Sequence, residues 1–230
     1  MNKGYKIIET CNIGGNSKLK FIRIQPLDIK TTLREVFTSL SNLCWIESFD
    51  KEYVQLSFRR RAEQTIEYIA ANIIKEKEDA VTENSGEYIV SELARKTVVD
   101  TYDYLDIPLA ELIKKQKVGN PGFDFYSENK NHILLFGEAK YKTRYGAYQS
   151  ALKQINDFEQ IGTDIEDLND IDKFCSEEAL SNVPKNKKGF IAAFSSKSMR
   201  TEILIRHLLQ NNDFKALSVH EELICVAINL

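Results

Sequence analysis

The sequence predicts an α/β protein with a mixed β-sheet flanked by helices, and three patterns carry that prediction. Short apolar or alternating runs of strand length recur along the chain. Segments with apolar residues at helical spacing lie between them, and turn signals at Gly14-Gly15 and Asn120-Pro121-Gly122 separate neighbouring strands. From residue 84 onward the order reads helix–strand–strand–helix–strand–helix–strand, the plan of a sheet covered by helices. On this reading the chain divides into an N-terminal α/β extension, 1–83, and a core, 84–230.

In the extension, KIIET (6–10) and LKFIRIQ (19–25) read as strands on either side of the Gly14-Gly15 turn. Residues 30–44 place Leu33, Val36, Phe37, Leu40 and Leu43 at helical spacing, with Thr31 or Thr32 as the expected N-cap. YVQLSF (53–58) alternates like a strand, and Ile66, Ile69, Ala70 and Ile73 predict a helix over 61–77. The polar stretch 75–86 is expected to be a linker.

The core opens with a helix to about residue 104 on Ile89, Leu93, Val98 and Val99. Pro108 breaks the chain, and 109–117 is expected to be an edge strand. FDFY (123–126) and HILLFGEAKYK (132–142) form a β-hairpin about the polar residues 127–131. A helix from Gly146 buries Ala147, Ala151, Leu152, Ile155 and Phe158; the acidic stretch after it has Ile165, Leu168, Ile171 and Phe174 spaced for one buried face. GFIAAFSS (189–196) is a continuous apolar strand of the kind covered on both faces. A helix over 198–210 and a strand from Leu223 to Ile228 complete the plan.

Composition narrows the function classes. Of 230 residues 43% are hydrophobic and 28% charged, enough to bury a core without disulfide staples. Cys11, Cys44, Cys175 and Cys225 form no CxxC pair, and three histidines are too few and too scattered for a structural zinc site. The N-terminus lacks the apolar core of a signal peptide and no run is long enough to span a bilayer, so a soluble cytoplasmic protein is expected, with no membrane partner. No phosphate-binding GxxxxGK[ST] or GxGxxG loop occurs, and His132, His207 and His220 stand in no catalytic pattern.

The net charge of −3 is segregated. Residues 157–178 hold nine acidic residues against one base, Lys173. Basic groups gather at Arg59, Arg60 and Arg61, at Lys114, Lys115 and Lys117, and at Lys140, Lys142 and Arg144. Two readings fit: a solvated acidic face with ordinary surface lysines, or a basic groove for a polyanion with further affinity supplied by a partner.

The chemistry concentrates on the hairpin. Side chains alternate across a strand, so Glu138 and Lys140 leave the same face as Leu134 and Phe136, while Gly137 and Ala139 let something pack closely on the other. Asp124 opens the neighbouring strand between Phe123 and Phe125, both expected to point away from it, and the short connection brings it beside Glu138. Two carboxylates and an ammonium meeting at the end of apolar strands are costly to bury unless they pair or hold a cation. Carboxylate oxygens suit Mg²⁺, which keeps sites open for phosphate oxygens, and a neighbouring lysine can orient water or stabilise charge in phosphodiester cleavage. The pattern [DE]-x-K occurs four times, at Asp28–Lys30, Glu128–Lys130, Glu138–Lys140 and Asp213–Lys215. Only Glu138–Lys140 sits inside an apolar strand, fourteen residues after an acid that opens another. The alternative is a plain buried Glu–Lys pair beside an exposed aspartate.

Gly122-Phe123-Asp124 followed by Leu135-Phe136-Gly137-Glu138-Ala139-Lys140-Tyr141, with Gly86-Glu87 upstream, resembles the HamA-type nuclease subunit of the Hachiman anti-phage defence system. The resemblance covers about residues 84–160. It implies a restriction-endonuclease-like core of the PD-(D/E)xK superfamily, Mg²⁺-dependent (Mn²⁺ substituting) cleavage of DNA, and a helicase subunit as partner. Asp124 and Glu138 are then metal ligands and Lys140 the catalytic lysine. Pro121 stands three positions before Asp124 rather than one, a departure that leaves the chemistry intact. The superfamily's helix carboxylate falls on Glu87, as metal ligand and catalytic residue, with Glu92 the alternative. Lys142, Arg144 and Gln154 are candidate DNA contacts, with Tyr141 and Tyr145 interleaved. Two other functions stay open: a nuclease-fold scaffold or nucleic-acid-binding module that does not cut, and a standalone restriction or repair endonuclease.

Overall fold

The computed structural model describes residues 4–73, 83–114, 121–197 and 199–230. In chain order its elements are β1 (Tyr5–Asn12), β2 (Leu19–Pro26), α1 (Ile29–Leu40), α2 (Glu52–Ile73), α3 (Glu83–Tyr102), α4 (Ala110–Ile113), β3 (Phe125–Glu128) and β4 (Leu134–Lys140). There follow α5 (Ala147–Ile161), α6 (Thr163–Glu166), α7 (Leu168–Ile171), α8 (Glu177–Asn182), β5 (Lys188–Ser196), α9 (Thr201–Gln210), α10 (Asn212–Leu217) and β6 (Glu222–Asn229). The six strands form one mixed sheet in the order β1-β2-β6-β5-β4-β3. Its four central strands run parallel, and an antiparallel strand closes each edge. The first two strands therefore join the same sheet as the rest of the chain, through the β2–β6 pairing.

Alternation along each strand divides the core in two. Leu134 and Phe136 of β4, Phe190 and Phe194 of β5 and Cys225 of β6 face a layer made by α5, α9 and α10, with Ala151, Leu152, Ile155, Leu204, Leu208 and Phe214. Leu135 and Ala139, Ile191 and Ala193, Ile224 and Val226 face the other layer, where α1 and α3 supply Val36, Leu40, Ile89, Leu93 and Val98. Burial on both faces explains why β5 reads as an unbroken apolar run, every residue of it buried. No described helix is long and apolar enough to cross a membrane, and the four cysteines are free.

Several local expectations need correction. Residues 53–58 are helical, not a strand: Val54, Phe58, Ala62, Thr65 and Ile69 are the buried positions, a spacing of three to four that a six-residue alternation could not distinguish. The cap of α1 is Asp28, whose side chain accepts from the Thr31 N–H at 2.7 Å; Thr32 instead donates its hydroxyl to the carbonyls of Gly4 and Asp28. Residues 110–113 form the short helix α4 rather than an edge strand, and 115–120, with Lys115 and Lys117, lie outside the described residues. So does the expected linker up to residue 82, while 83–86 already belong to α3.

The acidic stretch is broken into α6, α7 and α8, and it is not one solvated face. Asp164 and Asp167 are buried in ion pairs, the first with Lys188 at 2.7 Å and the second with Lys114 at 2.8 Å. Ile165, expected on the buried face, is 44% exposed, because α6 turns Asp164 inward in its place.

Candidate active site

The hairpin of β3 and β4 pairs Phe125 with Gly137, which sets Asp124 opposite Glu138. The Asp124 N–H donates to the Gly137 carbonyl at 2.9 Å, its own carbonyl accepts from the Ala110 N–H at 2.9 Å, and its Oδ2 accepts from the Ala139 N–H at 2.8 Å. Two bonds thus hold the Asp124 main chain and a third holds its carboxylate. Alternation predicts that Phe123 and Phe125 share a direction, and they do not: Phe123 enters the α5 layer and Phe125 the α3 layer, because Phe123 still belongs to the turn that precedes β3. The Phe125 ring covers Gly137, where a Cβ would overlap it. A glycine is needed there for the strands to close at the height of the two carboxylates.

Glu138 is 1% exposed, and its Oε1 accepts from Lys140 Nζ at 2.7 Å. Lys140 Nζ also lies 3.5 Å from Oε1 of Glu87 on α3. The contact between α3 and the end of β4 is close: the Tyr141 ring fills the space a Cβ on Gly86 would occupy. Gly86 therefore lets α3 approach the strand and brings the next residue, Glu87, to Lys140. Glu92 goes elsewhere. It is 1% exposed, paired to Arg95 at 2.8 Å and hydrogen-bonded by Ser39 of α1. The choice between the two helix carboxylates thus falls to Glu87 on position, with Glu92 a structural residue between α1 and α3.

Burial and mutual repulsion dominate the electrostatics of the two carboxylates. Burial, opposed by Lys140, lifts the Asp124 carboxyl from its ordinary value to about 7. Burial and the neighbouring Asp124 carboxylate together push Glu138 well above the usual carboxylate range. Burial would lower the Lys140 ammonium, but the contact with Glu138 outweighs it and the group is raised. One buried oxygen, Glu138 Oε2, has no hydrogen-bond partner. Native structures rarely leave such an atom unpaired, and a cation is one of the few partners that would compensate it.

No family model, curated protein or solved structure matches this chain.

Among the described residues, no group of three or more His, Cys, Asp or Glu side chains stands together as a metal cluster. The pair of Asp124 and Glu138 fits Mg²⁺ on other grounds. That ion takes oxygen ligands, is commonly held by one or two carboxylates, and completes its shell with water and phosphate. The unpaired Oε2 and the burial of two carboxylates side by side are compatible with that donor set. Glu87, half exposed, would be a third ligand only by rotating from Lys140.

The remaining candidates sit in looser settings. Lys142 is exposed; its N–H donates to Ser195 Oγ at 2.9 Å and its Nζ to Ser150 Oγ at 2.6 Å, tying the segment after β4 to β5 and α5. Arg144 and Tyr145 are exposed, Tyr145 at 77%, and Gln154 is half-buried on α5. Lys114, expected among the basic surface groups, is buried beside Asp167. Sequence reading missed Asp167, which accepts from Phe123 N–H, Tyr126 Oη and Lys114 Nζ just before Asp124. It looked like one of nine surface acids; only the apolar residues either side of the stretch hinted that some of its acids turn inward.

Proposed function

We propose that this chain is a Mg²⁺-dependent DNA nuclease of the PD-(D/E)xK kind, acting in anti-phage defence with a helicase subunit. One observation carries the enzymatic part: two carboxylates, Asp124 and Glu138, are held against each other with raised proton affinity and one orphaned oxygen, beside the Lys140 ammonium. Like charges at close range are sustained only if a cation or protons neutralise them. Asp124 and Glu138 would hold the ion, and a bound divalent cation would supply charge neutralisation to a phosphodiester oxygen. Lys140, charged and anchored by Glu138, would orient the attacking water and offset charge on the phosphoryl group. Glu87 would steady Lys140 from the helix side. The Ala139 N–H bond to the Asp124 carboxylate, with two further bonds to its main chain, would keep that carboxylate from following the substrate. Lys142 and Arg144 would carry phosphates past the site. The defence context and the helicase partner rest on the GFD and GEAK segments and on the acidic net charge.

The experiment is cleavage of labelled DNA with Mg²⁺ or Mn²⁺, with and without a candidate helicase partner. The double variant Glu138→Ala, Lys140→Ala should melt cooperatively and cut nothing; cation-dependent cleavage by that variant overturns the assignment. A nuclease-fold module that binds without cutting is the second reading. The closed Lys140–Glu138 contact and the missing third carboxylate favour it. Crystals soaked in Mn²⁺ separate the two, since only the enzyme should hold an ion between Asp124 and Glu138.

A further inference from the structure

We propose that Asp167, a residue of the acidic stretch, is a positioning residue that sets where the Asp124 carboxylate stands; the proposal rests on the nuclease reading of the site. Asp167 is 4% exposed at the junction of α6 and α7. Its Oδ1 accepts from Lys114 Nζ at 2.8 Å, and its Oδ2 from the Phe123 N–H at 2.9 Å and the Tyr126 hydroxyl at 2.7 Å. Lys114 Nζ donates as well to the Pro121 carbonyl at 2.7 Å. Gly122, at φ +101°, turns over this pair with no room for a side chain, since a Cβ there would meet both Asp167 and Lys114.

Two routes lead from Asp167 to Asp124. The first is the chain itself: the Phe123 N–H that Asp167 holds is one residue from Asp124. The second runs through α4. Lys114 follows directly on α4, and Ala110 at the start of that helix donates to the Asp124 carbonyl. One carboxylate thus fixes both the approach of the chain to Asp124 and the helix that grips its backbone. A buried ion pair adds little stability over well-packed apolar side chains, yet breaking one partner leaves an uncompensated charge. A pair retained at this place makes physical sense if what it secures is geometry. Residues that orient metal ligands commonly change ion affinity by about 10- to 100-fold when lost.

The test uses two variants of the full chain and two readouts. Asp167→Asn removes the charge; Tyr126→Phe removes the hydroxyl that reaches Asp167 Oδ2 at 2.7 Å and the Phe123 carbonyl at 3.2 Å, and leaves the ion pair. The Ala139 N–H bonded to Asp124 Oδ2 reports the position of that carboxylate by its amide proton shift in ¹⁵N spectra of the cation-free protein. Calorimetry gives the dissociation constant for Mn²⁺. The Ala139 amide proton should move upfield in both variants. Affinity for Mn²⁺ should fall by about tenfold or more in Asp167→Asn and by a smaller factor in Tyr126→Phe. If Asp167→Asn does not melt cooperatively, Tyr126→Phe decides alone. Unchanged Ala139 shifts with unchanged Mn²⁺ affinity in a folded variant overturn the positioning role. A wild-type chain that binds no Mn²⁺ overturns the nuclease reading instead, and the Ala139 shift then judges Asp167 by itself.

Discussion

Replacing Asp124 by asparagine should stabilise the cation-free protein at pH 8 while removing cleavage. In the folded chain the Asp124 carboxyl titrates near 7, against 3.8 for the unconstrained group. The sign follows from linkage: a carboxyl raised on folding contributes stability that is complete below its unfolded value and is lost as pH rises through the folded one. Between pH 4 and 7 the unfolded chain has released this proton while the native state still holds it, so stability falls with rising pH until the native carboxyl also ionises near 7. An interval of about three pH units corresponds to at most about 4 kcal/mol. Asp124 keeps some solvent contact and shares its titration with Glu138, so on the order of 1–3 kcal/mol is the fair expectation. Asparagine keeps an acceptor for the Ala139 N–H and removes the charge. For a chain of this length the gain should raise the melting temperature by roughly 2–10 °C at pH 8. Thermal melts in EDTA from pH 4 to 8.5, taken as variant minus wild type, isolate this site from the other titrating groups. The difference should grow from near zero at pH 4 to a plateau above pH 7, and added Mg²⁺ should shrink it by stabilising the wild type alone. An Asp124→Asn variant no more stable than wild type at pH 8 would refute the claim that the two buried carboxylates destabilise the cation-free protein.

The two helix carboxylates should separate cleanly under substitution. Glu92→Ala leaves Arg95 buried and partly unpaired and should cost about 3–5 kcal/mol in urea unfolding, whereas half-exposed Glu87→Ala should cost about 1 kcal/mol or less and act on cleavage instead. Replacing Lys142 and Arg144 together by alanine should lower the slope of log affinity for DNA against log salt by about 2, read from fluorescence anisotropy across a salt series.

Much of the fold was legible because the informative residues sit where local pattern and tertiary burial agree. The run 189–196 and the hairpin 123–142 could be placed as strands from apolar content and turn residues alone, and the pairing of Asp124 with Glu138 followed from hairpin length. The segment 53–58 failed for a physical reason. Tyr53 and Leu56 are apolar yet exposed, at 67% and 59%, so the visible alternation did not mark the buried face. The short helix α4 was hidden likewise, its four residues too few to show a period. Within the site, Glu87 and Glu92 could not be ranked from the sequence because both follow Gly86 on one helix. What separates them is a contact across 55 residues, Tyr141 against Gly86, and another across 53, Ser39 to Glu92. Neither leaves a trace in local spacing.

The same limit bears on how the acidic charge is understood. Counting residues makes 157–178 a negative surface, yet Asp164 and Asp167 each neutralise a buried lysine, Lys188 at the start of β5 and Lys114 after α4. Those two lysines are therefore unavailable to any polyanion, and those two acids repel none. What faces a nucleic acid near the site reduces to Lys140, Lys142 and Arg144 on one side and the ionisable Asp124, Glu138 and Glu87 on the other. Burial leaves Asp124 and Glu138 largely protonated up to about pH 7, so without a cation their charge opposes the bases only above that pH. A bound divalent cation would displace those protons and offset both carboxylates, so above pH 7 affinity for DNA and occupancy of the carboxylate pair would be coupled. On the proposed function, this would make the chain a weaker binder of DNA at alkaline pH until an ion is in place, and would give a second subunit with its own hold on DNA a physical reason to exist.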